Sequence, residues 1–228
     1  MSQHLPKSFL KLLTVVCTAG MAEAIPVRAA AQNYPVIVNT EERPDPWVVN
    51  GCTIAPKTNC EGVDLRHVDL KDANLQGAKL RGAILARADL RHANLQGADL
   101  SGATLDGARL TIAFMQGAKL VGASLKGADL SFVRMSGADF SNADLSAATL
   151  EKAMAKGASF VGARFINTDA QETKFYEANL SNAVFEGVKI RFASFQDAFM
   201  DGCKGCPVDW QKSEKIWNEY AIPEDAGK

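Results

Sequence analysis

The sequence predicts an all-β solenoid, a stack of square parallel coils. Three observations predict it. From Glu61 to Met200 an apolar residue falls at every fifth position; a small residue stands two places before each; and a second modulation recurs every twenty residues. The stretch "ANLQGADLSGATLDGARL" carries the first two, with Leu95, Leu100, Leu105 and Leu110 each preceded by Ala.

A period of five fits neither regular element. A helix advances about 100° per residue and would scatter the leucines around its circumference. A continuous strand alternates faces, so an odd period would send successive leucines to opposite sides. A short extended piece followed by a corner keeps every third and fifth residue inward. The phase holds for 28 units, with Leu fifth in 16, Phe in six, Met in three, Ile in one and Ala in two. The third residue is Ala in 22, Val in four and Thr in two, Thr168 and Thr173.

The second position sets the coil length. One column, taken every twenty residues, reads Gly77, Gly97, Gly117, Gly137, Gly157, Glu177, Asp197, and the next is Gly or Asn throughout. A third reads Asp72, His92, Ile112, Phe132, Lys152, Glu172, Phe192 and has no glycine. Gly and Asn tolerate positive φ, so two corners are expected to use it and this one is not. Four units then make one coil. Residues 61–200 give about seven coils at roughly 4.8 Å each, a stack about 34 Å tall.

The "A(D/N)LXX" phrasing over 61–200 resembles the pentapeptide repeat family. The resemblance implies a right-handed quadrilateral parallel β-helix. Ala155 and Ala170 depart from it, since a large residue is expected at the centre, and Phe160, Phe165 and Phe175 are expected to fill the space.

The other elements follow in chain order. Residues 1–31 read as an export signal: Lys7 and Lys11 precede an apolar stretch from Leu12 to Met21 that is too short for a membrane span. Cleavage is expected after Ala29-Ala30-Ala31, with Ala22-Glu23-Ala24 as the alternative, so the destination is the periplasm or, in a photosynthetic source, the thylakoid lumen. Removing that segment leaves 22 Lys+Arg against 25 Asp+Glu, a net of −3, and four cysteines. Residues 32–60 form an N-terminal flank and cap with Trp47, Cys52 and Cys60. Residues 201–228 form a C-terminal cap, in which Asp209 starts a short helix to Tyr220 that lays Trp210, Ile216 and Trp217 over the last coil.

An even cysteine count in an exported chain favours disulfides. The coil estimate puts Cys52 and Cys60 some 34 Å from Cys203 and Cys206. A disulfide spans about 7 Å between Cα atoms, so the intramolecular pairing is Cys52–Cys60 and Cys203–Cys206. The same separation rules out a single zinc site on all four. The "CKGC" stretch also has a redox reading, because it directly precedes an expected helix start.

Catalytic motifs are absent. No HExxH, phosphate loop, GxSxG or EF-hand pattern occurs, and His67 and His92 both take outward positions a coil and a side apart. The inward positions are all filled, so no cofactor or metal is expected and the chain reads as non-catalytic. Residues 61–200 hold 16 basic and 16 acidic side chains. Columns such as Lys79, Asp99, Lys119, Asp139 and Asp89, Arg109, Asp129 are expected to pair from coil to coil, and Gln76, Gln96 and Gln116 to make an amide ladder. The family resemblance brings in members that mimic DNA and occupy topoisomerases. A duplex carries one negative charge per about 1.7 Å, which a net-neutral solenoid does not reproduce, and no nucleic-acid partner is expected.

One outward cluster breaks the polar rule: Ile112 and Phe132 at the glycine-free corner, with Phe114 and Met154 flanking Arg134. It is expected to be a protein-binding surface or to lie under a terminal flank. The function that follows is an exported, rigid protein-binding scaffold without stable membrane insertion. The alternatives are a thiol–disulfide protein using Cys203 and Cys206 and, behind it, a topoisomerase-binding DNA mimic. A coil end or the apolar corner also offers a homodimer surface.

Overall fold

The structure, a computed structural model, describes residues 44–207. The expected signal segment and the expected helix from Asp209 to Tyr220 lie outside the described residues. The chain enters through a hairpin in which β1 (Val48–Val49) pairs antiparallel with β2 (Cys52–Thr53). Ile54 N–H donates to the Trp47 carbonyl at 2.7 Å, and Trp47 and Val49 pack against the core. The hairpin thus lays apolar side chains on the first coil.

From Asn59 to Lys204 the chain winds so that every bridge joins residues twenty apart in parallel. Asn59 pairs with Lys79, Asp64 with Ile84, Asp69 with Asp89 and Asn74 with Asn94, which starts four columns, one per side of the coil. The pairing residue is the fourth of each five. Most rungs are one residue long; only β3 (Arg164–Ile166) and β4 (Val184–Glu186) lengthen to three. A five-residue side spends its other residues on the corner, so the sheets are ladders of single rungs.

Backbone groups are satisfied between coils. Leu100 N–H donates to the Lys119 carbonyl at 2.7 Å, Lys119 N–H donates back to the Ala98 carbonyl at 2.9 Å, and Gly97 N–H donates to the Gln116 carbonyl at 3.0 Å. The same three bonds recur around the stack.

The corner expectation is corrected by the structure. The glycine-free column is as left-handed as the others: φ is +56° at Asp72, +63° at Ile112, +58° at Phe132 and +60° at Phe192, against +63° at Gly97. The reason is the inter-coil bond made there. Ile112 N–H must reach the Ser131 carbonyl (3.0 Å), and the repeat fixes that geometry whatever the side chain. Glycine therefore marks corners where strain is relieved. A left-handed residue with a Cβ costs about 1–2 kcal/mol.

Third and fifth residues form one continuous core. Leu95, Leu100, Leu105, Leu110 and the alanines between them have no solvent exposure. In the coil of residues 151–170 the four sides meet as Ala155, Phe160, Phe165 and Ala170, so each phenylalanine stands across the barrel from an alanine. All four are fully buried. The Phe160 ring lies 5.2 Å from Phe140, 5.4 Å from Phe165 and 5.6 Å from Phe175. Thr168 and Thr173 are buried as well; their hydroxyls donate to the Leu145 and Leu150 carbonyls at 2.8 and 2.7 Å.

The ends differ. Cys60 takes a fifth position and is buried, bonded to Cys52 with Cα atoms 5.3 Å apart. In the last described coil Val188, Ile190, Ala193, Ala198 and Met200 are only half-buried. There Cys203 is bonded to Cys206, with Cα atoms 5.8 Å apart.

Candidate docking surface

The outward cluster is positioned by one side of the coil and the corner that precedes it. Phe114, Arg134, Met154 and Lys174 are successive rungs of one bridge column. Ile112, Phe132 and Lys152 stack at the adjoining corner. Ile112 is 39% exposed, Phe132 46% and Met154 49%, and Phe114 is half-buried. The five residues singled out from the sequence therefore lie on neighbouring coils of one face and its edge.

Cations lie against the aromatic rings. Arg134 places its guanidinium carbon 5.2 Å from the Phe114 centroid, and Lys152 places its ammonium 5.4 Å from that of Phe132. Lys152 is also held by Glu151 (3.1 Å) and Glu172 (3.6 Å), which raise its pKa. Arg134 has no carboxylate within ion-pair distance among the described residues. Among the described residues Lys174 reaches only the Ser194 hydroxyl, at 3.5 Å. Sequence patterning did not single out Lys174, although it occupies the fourth position one coil beyond Met154.

The composition of this column sets it apart. It reads Asn74, Asn94, Phe114, Arg134, Met154, Lys174, Ser194, without a carboxylate. The other three columns hold at least two aspartates each, Asp64 and Asp144 in one, Asp99 and Asp139 in another, and four from Asp69 to Asp169 in the third.

Those aspartates correct the expected charge ladders. A fourth-position carboxylate turns toward its own corner and accepts from the N–H two residues on, as Asp99 does from Ser101 at 3.0 Å. The column from Lys79 to Asp139 consequently forms no ion pair along itself among the described residues: Asp99 takes Arg81 (3.3 Å) and Asp139 takes Ser141. Asp89 pairs first with Arg91 at 2.6 Å and only distantly with Arg109, at 3.9 Å. The Arg66 guanidinium beside Asp64 holds its carboxyl at about 2. For Asp129, burial works to raise the pKa, but hydrogen bonds from Ser131 and Thr111 outweigh it and the net direction is down. The amide ladder is one rung long, Gln96 donating to Gln116 at 3.2 Å.

His67 and His92 are both exposed at left-handed corners. No cluster of three metal-ligating side chains occurs among the described residues. No helix among them is long and apolar enough to cross a membrane. A shallow depression of about 220 Å³ borders the candidate face, between Lys156, Tyr176, Glu177, Gln196 and Asp197.

No curated protein matches the chain. Among solved structures it is similar to HetL, a pentapeptide repeat protein involved in heterocyst differentiation regulation from the cyanobacterium Nostoc sp. strain PCC 7120. The identity is 27% over 66% of this chain and 88% of HetL, with a TM-score of 0.37. A pentapeptide repeat protein from the Arabidopsis thaliana thylakoid lumen is 26% identical over 60% of this chain and 75% of its own, with a TM-score of 0.40. QnrB1, a plasmid-mediated fluoroquinolone resistance protein, is 16% identical in a trypsin-treated form over 71% of this chain and 89% of that one, with a TM-score of 0.45. The family description "Pentapeptide repeats" matches in eight copies within residues 53–204, well over half of the sequence, with the five-residue phase and twenty-residue register seen in the structure, and the chain therefore belongs to the pentapeptide repeat family.

Proposed function

We propose that this chain is an exported, non-catalytic scaffold of about seven coils that binds a protein partner on the face carrying Ile112, Phe114, Phe132, Arg134 and Met154. One observation carries the reading: large apolar side chains stand exposed on adjacent coils of one face, next to a cation with no acidic partner among the described residues. Exposed apolar patches rimmed by polar residues mark interaction sites. The rigid, filled barrel loses little conformational freedom on docking, so little of the binding energy is spent on ordering. The signal-like residues 1–31 support export to the periplasm or the thylakoid lumen. Residues 209–220 supply a capping helix for the half-buried last coil, where Ile190 and Met200 remain accessible.

Crosslinking the mature protein in its native compartment, followed by mass spectrometry, tests this. A single abundant partner crosslinked at residues 112–154 is the expected result. The absence of crosslinks there would overturn it, and mixed disulfides through Cys203 or Cys206 to many clients would put a thiol–disulfide function in its place.

A further inference from the structure

Taken with the docking reading, on which it rests, the geometry points to a specific partner chemistry. We propose that the column Phe114–Arg134–Met154–Lys174 receives an extended acidic segment of a protein, with carboxylates on Arg134 and Lys174 and an apolar side chain over Met154 between them.

Four observations converge on this. This column is the one without a carboxylate, so nothing on the face itself neutralises its cations. Arg134 and Lys174, two coils and hence about 10 Å apart, have no ion-pair partner among the described residues, whereas Lys152 and Lys156 nearby are already paired with glutamates. Phe114 and Met154 in the column and Phe132 at its adjoining corner supply apolar surface, as the centre of an interface requires. Finally, Ile112 and Phe132 put large apolar side chains at the corner beside this column, where the two neighbouring corner columns carry glycine, polar or charged residues and one alanine.

The acidic borders of the strip favour one class of partner. Glu151 and Glu172 border it on one side, and Glu177 and Asp197 on the other. An anionic bilayer laid across the face would meet these carboxylates, while a single extended chain laid along the column meets its cations without lying flat across both corners. Opposite charges on a narrow strip also fix the register of the docked segment.

The test uses the full mature chain and fluorescence anisotropy with a labelled peptide repeating Glu-Ser-Leu-Ser, which when extended presents Glu and Leu by turns on one face, against a Lys–Leu counterpart with Lys in place of each Glu. The expected result is binding of the acidic peptide alone, weakened by added salt and at least tenfold weaker in the variant combining Arg134→Glu and Lys174→Glu. Lys119→Glu, on another side of the coil, should leave binding unchanged, and circular dichroism should show all variants folded. Failure to bind, equal binding of the Lys–Leu peptide, or indifference to the double charge reversal would overturn the proposal. So would phosphatidylglycerol vesicles binding in place of the peptide, or intramolecular crosslinks from Lys212 or Lys215 onto Lys174, which would make the chain's own C-terminal segment the occupant. If the charge-reversed variant still crosslinks its native partner at residues 112–154, docking stands and only the acidic chemistry fails.

Discussion

Replacing Phe160 by Ala tests the cross-barrel packing most directly. Phe160 is fully buried and touches three other rings, at 5.2, 5.4 and 5.6 Å, and it stands across the barrel from Ala170. Emptying such a site costs about 3–5 kcal/mol, because the surrounding coils are pinned by inter-coil hydrogen bonds and cannot collapse into the space. Ala170→Phe alone overpacks the coil and costs about 1–3 kcal/mol. If the two positions share one volume, the double variant recovers part of both losses, with a coupling of about 1–3 kcal/mol. Urea unfolding followed by circular dichroism measures all four proteins, the loss appearing as a lower midpoint at unchanged slope. Strict additivity would show that the two sides fill separate spaces, and the argument from opposite sides would be wrong.

Other outcomes follow from the same geometry. Asp64, Asp89 and Asp129 have lowered folded pKa values, so the stability they add is present above the unfolded value near 3.9 and drains away as pH falls toward the folded values. The melting temperature should be level from pH 7 to 5 and fall below about 4, less steeply in Asp89→Asn; a decline already under way between pH 7 and 5 would contradict this. Thr173→Val removes a hydroxyl that donates to the Leu150 carbonyl at 2.7 Å and should cost about 1 kcal/mol in the same unfolding assay. Gly162→Ala puts a Cβ at φ +67° and 2.6 Å from Asn142 Oδ1, and should lose about 1–2 kcal/mol or more. Replacing Cys52 and Cys60 by serine opens a loop of eight residues and should lower stability by roughly 2–3 kcal/mol on the chain-entropy account, measured by thermal unfolding.

The core was legible because burial is periodic: Leu95 to Leu110 share one environment, and any backbone that puts the fifth residue inward at one unit does so at all. Coil length was legible because glycine and asparagine cluster at twenty-residue intervals. The conformation of the glycine-free corner was not, since propensity records where a left-handed residue is comfortable and says nothing of where an inter-coil bond demands one, as at Ile112 and Phe132. Charge pairing along the columns formed at Asp89 and Arg109, at 3.9 Å, but not from Lys79 to Asp139, for a related reason. Column arithmetic brings Lys79 near Asp99, but a short carboxylate is captured by its own corner before a neighbour one coil away can compete. On the candidate face the apolar residues stood out against a polar pattern, whereas Lys174 did not, because a lysine at an outward position is ordinary until it is seen to make no ion pair among the described residues.

The fourfold coil gives insertions and deletions two different arithmetics. The core registers length modulo five: one unit gained or lost keeps third and fifth residues inward and preserves the barrel. The surface registers length modulo twenty, because each unit advances the chain by one side. A single-unit duplication between Phe114 and Arg134 would leave every leucine buried yet carry Arg134, Met154 and Lys174 a quarter turn away from Phe114. Stability would scarcely record the event, while the composite face would be taken apart. A lineage of such proteins can therefore drift in length at little thermodynamic cost and re-aim one part of its surface against another, much as the discs of a combination lock turn on a common axle.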